Sequence, residues 1–74
     1  MNRLEILNAL MADVDVLAQA DETSVLGAMP GWDSLAILLV VSHCEHVHDR
    51  EVRGPQVRAC RTVGDLLDLI QSLS

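Results

Sequence analysis

The chain has 74 residues, half of them hydrophobic, with 5 Arg, no Lys and 11 acidic residues for a net charge of −6. That length holds a single domain, residues 1–74, and the hydrophobic share excludes a disordered tail. The acidic balance disfavours binding to nucleic acid or to anionic membrane surfaces and steers basic-faced partners toward the chain.

Leu4, Leu7, Leu10, Met11, Val14 and Leu17 step at three and four residues, which predicts an amphipathic first helix of about four turns. Asn2 with Glu5 three residues later fits its N-terminal capping pair. Residues 18–32 lose the period and contain Thr23, Ser24, Gly27, Pro30 and Gly31, so they read as a loop. At about fifteen residues such a loop is either functional or tied down by its own side chains. Val25, Leu26 and Met29 are the expected anchors.

A second helix is expected from Asp33, a good N-cap, to about Asp49. Trp32 and Ile37 would then hold the positions of a hydrophobic staple. Residues 50–54 break the pattern. Pro55 suits the opening of a short helix, Pro55–Arg61, with Gly54 before it. Thr62-Val63-Gly64-Asp65 has the form of a capping box and opens a last helix, Val63–Leu73, with Val63, Leu66, Leu67, Ile70 and Leu73 as its apolar set. The expected fold is all-α: a four-helix bundle of three main helices and one short one, with a long first loop.

The core must be aliphatic, because the chain has no Tyr, no Phe and only Trp32. A domain this small buries only about 60% of its unfolded-chain surface, which makes a deep, dry catalytic cavity hard to build. The longest apolar run, Leu35–Val41, is far too short to span a bilayer. Met1-Asn2-Arg3-Leu4-Glu5 has no signal-peptide pattern. Cys44 and Cys60 are expected to be reduced thiols, and the expected location is cytoplasmic.

The second helix carries the functional signal. Ile37, Val40, Val41, Cys44 and Val47 form one buried stripe by spacing. Leu35, Leu38 and Leu39, with Ala36, fall off it. Either the loop 18–32 folds over these leucines or they form a docking patch for another protein. Ser34 stands directly beside them, in Gly31-Trp32-Asp33-Ser34-Leu35.

Here the sequence resembles the acyl carrier protein family, which includes the peptidyl carrier (thiolation) domains. In that family an Asp-Ser-Leu motif opens the second helix. The match is Asp33, Ser34 and Leu35, in the middle of a short acidic chain, after a long loop and at a helix start. Thr62-Val63-Gly64-Asp65 also looks like the family's opening of the last helix, so the resemblance runs along essentially the whole chain. It implies a covalent 4′-phosphopantetheine on Ser34, donated by coenzyme A through a phosphopantetheinyl transferase that supplies the base and Mg²⁺. The arm's thiol would hold an acyl group as a thioester and present it to a loading enzyme and to downstream synthase or transferase enzymes. On this reading the chain is a non-catalytic, stand-alone, monomeric carrier. Gly31 and Trp32 before the motif are similar to those in carriers of polyketide and related secondary-metabolite pathways.

Fatty-acid carriers usually have acidic residues on the exposed side of this helix just after the motif. Here the stretch is Ala36, Ile37, Leu38 and Leu39, with Glu45 and Asp49 only later. Partner binding is therefore expected through Leu35, Leu38, Leu39 and Trp32. A peptidyl carrier holding an aminoacyl thioester is one alternative. A helical adaptor that binds protein through the leucines, without a prosthetic group, is another.

His43, Cys44, Glu45, His46 and His48 crowd one and a half turns. Paired Cys-x₂-Cys spacing is absent, so surface histidines and a core cysteine are expected rather than a metal site. Cys44 and Cys60 lack the basic neighbours of a nucleophile apart from Arg61, and Arg58 and Arg61 are expected near the end of the short helix, where cations are favoured.

Overall fold

A computed structural model describes residues 2–72 of the chain. Four α-helices follow in order: α1 (Arg3–Asp13), α2 (Ser34–His48), α3 (Gly54–Arg58) and α4 (Val63–Ser72). Short 3₁₀ turns occupy Asp15–Leu17 and Leu26–Ala28. The fold is all-α, a small helical bundle, with no strand among the described residues. α1 touches both α2 and α4, and α3 lies against α2. The core is aliphatic, with Leu10, Leu17, Leu26, Leu66 and Leu67 fully buried. Leu73, expected to close the apolar set of the last helix, lies outside the described residues.

Asn2 caps α1 as expected: its side chain accepts from the Glu5 amide at 2.9 Å, and its own amide donates to Glu5 Oε1 at 3.1 Å. The helix is shorter than its hydrophobic period suggested. It ends at Asp13, and Val14 is extended at φ −117°, ψ 103°. Asp13, Val14, Asp15 and Val16 all have low helix propensity, and together they stop propagation. The buried positions are Ile6, Leu10, Val14 and Leu17, while Leu4 is 64% exposed. Leu4 is therefore not part of the core stripe, and Ile6 takes its place.

The buried face of α2 is Ala36, Ile37, Val40, His43 and Cys44. This corrects the expected stripe at three places. Ala36 is inside, Val41 is only half-buried and Val47 is 42% exposed. His43, expected on the surface, is buried. Its Nδ1–H donates to Asp13 Oδ2 at 2.7 Å, so the end of α1 supplies a partner for one of the two ring nitrogens. The His48 ring meets the His43 ring edge to face, with centroids 5.6 Å apart. Burial, and then the neighbouring His43, hold His48 below the usual imidazole range. Asp49 caps α2 in the left-handed region at φ 52°, a conformation that Asp tolerates better than most residues.

α3 is shorter than expected, Gly54–Arg58 rather than Pro55–Arg61. Gln56 Oε1 accepts the Arg53 amide at 2.9 Å and fixes its start. Residues beyond Arg58 are committed elsewhere. The Arg61 and Thr62 amides both donate to Asp65 Oδ2, at 2.9 and 3.1 Å, and the Asp65 amide donates to Thr62 Oγ1 at 3.2 Å. That is the expected capping box of α4. The Arg61 and Thr62 amides hold the Asp65 carboxyl below the usual carboxylate range.

The long loop is pinned to this same corner. Leu26 N–H donates to Arg61 C=O at 2.8 Å, Val63 N–H to Ser24 C=O at 3.0 Å, and Gly64 N–H to Glu22 C=O at 2.9 Å. Val25 and Thr62 form an isolated antiparallel bridge. Of the three expected anchors, Leu26 is fully buried, Met29 packs partly on the core, and Val25 is half-exposed and holds by its backbone. Arg3 ties the corner from α1. Its guanidinium donates to Glu22 Oε1 at 2.8 Å, Asp68 Oδ1 at 2.7 Å, Gln71 Oε1 at 2.8 Å and Gly64 C=O at 3.0 Å.

Gly64 is where loop and helix approach most closely. A Cβ added there would sit 3.1 Å from the Glu22 carbonyl oxygen. Alanine in place of a helical glycine ordinarily stabilises by about 0.5–1 kcal/mol. Gly64→Ala is expected to lose that gain and to destabilise the fold, because the displaced atom is backbone held by its own hydrogen bond. Urea denaturation of wild type and variant checks this, and a higher midpoint for Gly64→Ala would refute it.

Candidate functional site

The loop delivers the chain to α2 through a tight turn. In Met29-Pro30-Gly31-Trp32 the Trp32 amide donates to the Met29 carbonyl at 3.2 Å, and Gly31 has φ +87°. Proline second and glycine third, with positive φ at the glycine, is the pattern of a type II turn. Trp32 then packs half-buried against the core cluster that contains Ile37, in keeping with the expected staple. Asp33 is the N-cap of α2, its Oδ1 accepting the Ala36 amide at 3.0 Å.

Ser34 is the first residue of α2 and its side chain is exposed. Amides in the first turn of a helix have no intrahelical acceptor, and the helix dipole makes this end favourable for an anion. Among the described residues, another element also hydrogen-bonds the hydroxyl. Arg58, in the last turn of α3, places Nη2 3.5 Å from Ser34 Oγ. Spacing could not reveal this contact: the two residues are 24 positions apart, and the docking of α3 on α2 brings them together.

Beside Ser34 the apolar side chains stand out in solvent. Leu35 is 63% exposed, Leu38 61% and Leu39 40%. The loop 18–32 therefore does not cover them; it is held instead against the start of α4. Burying one leucine is worth about 1.5–3 kcal/mol. A small domain that leaves three such residues this far out gains little of that for its own fold. Trp32 stands apart from this trio, as half of it faces the core.

The remaining polar groups do not converge on Ser34. Glu45, Asp49, Arg50 and Glu51 line a shallow cleft of about 380 Å³. A second depression of about 200 Å³ lies along the loop, lined by Val16, Gln19, Ala20, Ser24, Met29 and Pro30. Both cysteines are free thiols. Burial pushes the Cys44 thiol up to about 11. Burial, then Asp65 and Asp68, also raise Cys60. Thiols shifted upward are protonated at neutral pH and poor nucleophiles. Among the described residues no three of His, Cys, Asp and Glu are placed to hold a metal ion, and no helix is long and apolar enough to cross a membrane.

Compared with family models, curated proteins and solved structures, the chain matches none. The site must therefore be read from its own residues.

Cap and hydroxyl have separable roles. Asp33→Ala is expected to cost about 0.5–2 kcal/mol, the usual value of an N-cap. Ser34→Ala is expected to stay within about 0.5 kcal/mol of wild type, as an exposed substitution. Chemical denaturation of both variants measures this, and a larger loss in Ser34→Ala would make the hydroxyl a structural group.

Proposed function

We propose that this chain is an acyl carrier, bearing 4′-phosphopantetheine on Ser34. The observation that supports it most is the placement of Asp33-Ser34-Leu35: an exposed hydroxyl at the first turn of α2, its helix capped by the preceding aspartate rather than by the serine itself. The all-α bundle, the acidic surface and the start of α4 are in keeping with the same reading.

The residues present suit such a group. Ser34 is open to an enzyme from outside, and a phosphodiester there would lie at the favourable end of the helix dipole, a contribution of about 0.3–1 kcal/mol at an exposed end. In the attachment step Ser34 Oγ bonds to the phosphorus that carries the pantetheine arm of coenzyme A. The bond from that phosphorus to the bridging oxygen breaks, and adenosine 3′,5′-bisphosphate leaves. The Ser34 proton passes to a base of the phosphopantetheinyl transferase, while Asp33 Oδ1 accepts the Ala36 amide and caps the helix. Once attached, the arm supplies a thiol that carries an acyl group as a thioester. The chain itself contributes the anchor, its orientation and a surface for partner enzymes.

That surface is the exposed trio Leu35, Leu38 and Leu39. An apolar patch in place of a continuous acidic stripe favours a dedicated partner set, in polyketide or related secondary-metabolite synthesis, over a general fatty-acid system. The same patch favours a second reading, a helical adaptor that binds protein with no prosthetic group.

Loading separates the two readings. Wild type incubated with coenzyme A, Mg²⁺ and a broad-specificity phosphopantetheinyl transferase is expected to gain one arm by intact mass, and Ser34→Ala to gain none. A gain in both, or in neither, removes the carrier assignment. The patch has its own test. Leu38→Gln is expected to melt close to wild type, yet to slow acyl transfer with its partner enzyme about tenfold or more, as loss of one leucine's burial at the contact implies. Wild-type transfer rates in a stably folded Leu38→Gln would place the partner surface elsewhere, with the acidic cleft at Glu45 and Asp49 next in line.

A further inference from the structure

From outside α2 and its cap, Arg58 reaches the Ser34 hydroxyl, at 3.5 Å through Nη2. At that distance a neutral hydroxyl is a weak partner for a guanidinium. No carboxylate takes up the charge either: among the described residues Arg58 forms no ion pair, in a chain with 11 acidic side chains. Arg3 shows the contrast, with two carboxylates, a side-chain amide oxygen and a backbone carbonyl around one guanidinium. The nearest acid in sequence to Ser34, Asp33, is turned to the Ala36 amide.

The placement also runs against the local field. A cation at the amino end of a helix faces the positive end of its dipole, where an anion is preferred. Position 58 lies in the last turn of α3, which suits a cation, but its guanidinium reaches across to the first turn of α2. A mismatch of this kind is expected where the missing charge arrives by modification. A phosphorus bonded to Ser34 Oγ brings two non-bridging oxygens, sharing one negative charge, within reach of a guanidinium already 3.5 Å from Oγ. The contact then changes from a long bond to a neutral hydroxyl into a charge-assisted one, the type for which the planar donor fork of Arg is suited.

We propose that Arg58 is the counter-charge for the phosphodiester on Ser34, a positioning residue that holds the anchored end of the arm against α3. This rests on the reading of Ser34 as the attachment site. Arg58 has no part in forming the bond; it acts on the loaded protein, by pairing with the group once it is there.

The test compares unloaded and loaded forms of wild type, Arg58→Ala and Arg58→Lys, each verified by intact mass and then melted at low and at high salt. Loading is expected to raise the wild-type melting temperature at low salt by about 1–5 °C more than it raises that of Arg58→Ala. Arg58→Lys is expected to recover part of the difference, and high salt to shrink it. Comparing each variant with its own unloaded form removes any effect of the substitution on the fold. Equal loading increments in wild type and Arg58→Ala would overturn the role of Arg58 while leaving Ser34 as the attachment site. If wild type gains no arm, the reading of Ser34 fails and the role of Arg58 fails with it.

Discussion

Three backbone hydrogen bonds, from Leu26 to Arg61, from Val63 to Ser24 and from Gly64 to Glu22, hold the long loop against the start of α4. The geometry at Ser34 depends on them. A loop of about fifteen residues is costly to order, and this one contains a single short piece of 3₁₀ turn, Leu26–Ala28. Its backbone groups find partners because residues 61–64 present theirs before α4 begins. The capping box at Thr62 and Asp65 sets where that happens. Leu26 then enters the core, and Arg3 closes the corner from α1. The loop emerges from this attachment at Met29, and the Pro30–Gly31 turn sends it to Asp33.

The same pinning explains what remains exposed. Chain spent on reaching α4 cannot also cover α2, so the outer face of that helix keeps Leu35, Leu38 and Leu39 in solvent. A hydroxyl, a capped helix start and an apolar patch thus lie within one and a half turns. α3 completes the arrangement from the other side, because its docking on α2 sets Arg58 beside Ser34. The elements with the least secondary structure, the long loop and the five-residue α3, thereby shape the surroundings of the proposed attachment point. α1 and α4 mainly supply the core they rest on.

Most of the framework was legible in the sequence. The caps at Asn2, Asp33 and Thr62 could be read because capping is a local affair of residues three apart. The outward leucines could be read because a helix sorts its side chains by angle. Features that depend on contact between distant segments could not. His43 looks like one of three surface histidines until Asp13, thirty residues away, supplies its hydrogen bond. Once His43 turns inward, the buried face of α2 rotates, Ala36 comes in and Val47 goes out. The first helix is shorter than its leucine period suggests for a related reason. Its leucine period continues to Leu17, but the backbone turns at Val14 and keeps the period through a 3₁₀ turn instead. The exposed place of Ser34 at the start of α2 is readable from its local sequence, whereas Arg58 carries no local mark, and only the packing of α3 brings it beside Ser34.

The central claim is that Ser34 carries a covalent arm through a phosphodiester. It is tested most directly by fragmenting the intact chain in a mass spectrometer after expression beside an active phosphopantetheinyl transferase. The account predicts one added 4′-phosphopantetheinyl group, retained on fragments that contain Ser34 and absent from those that stop at Asp33 or begin at Leu35. An unmodified chain under those conditions, or an added group on fragments lacking Ser34, would contradict it.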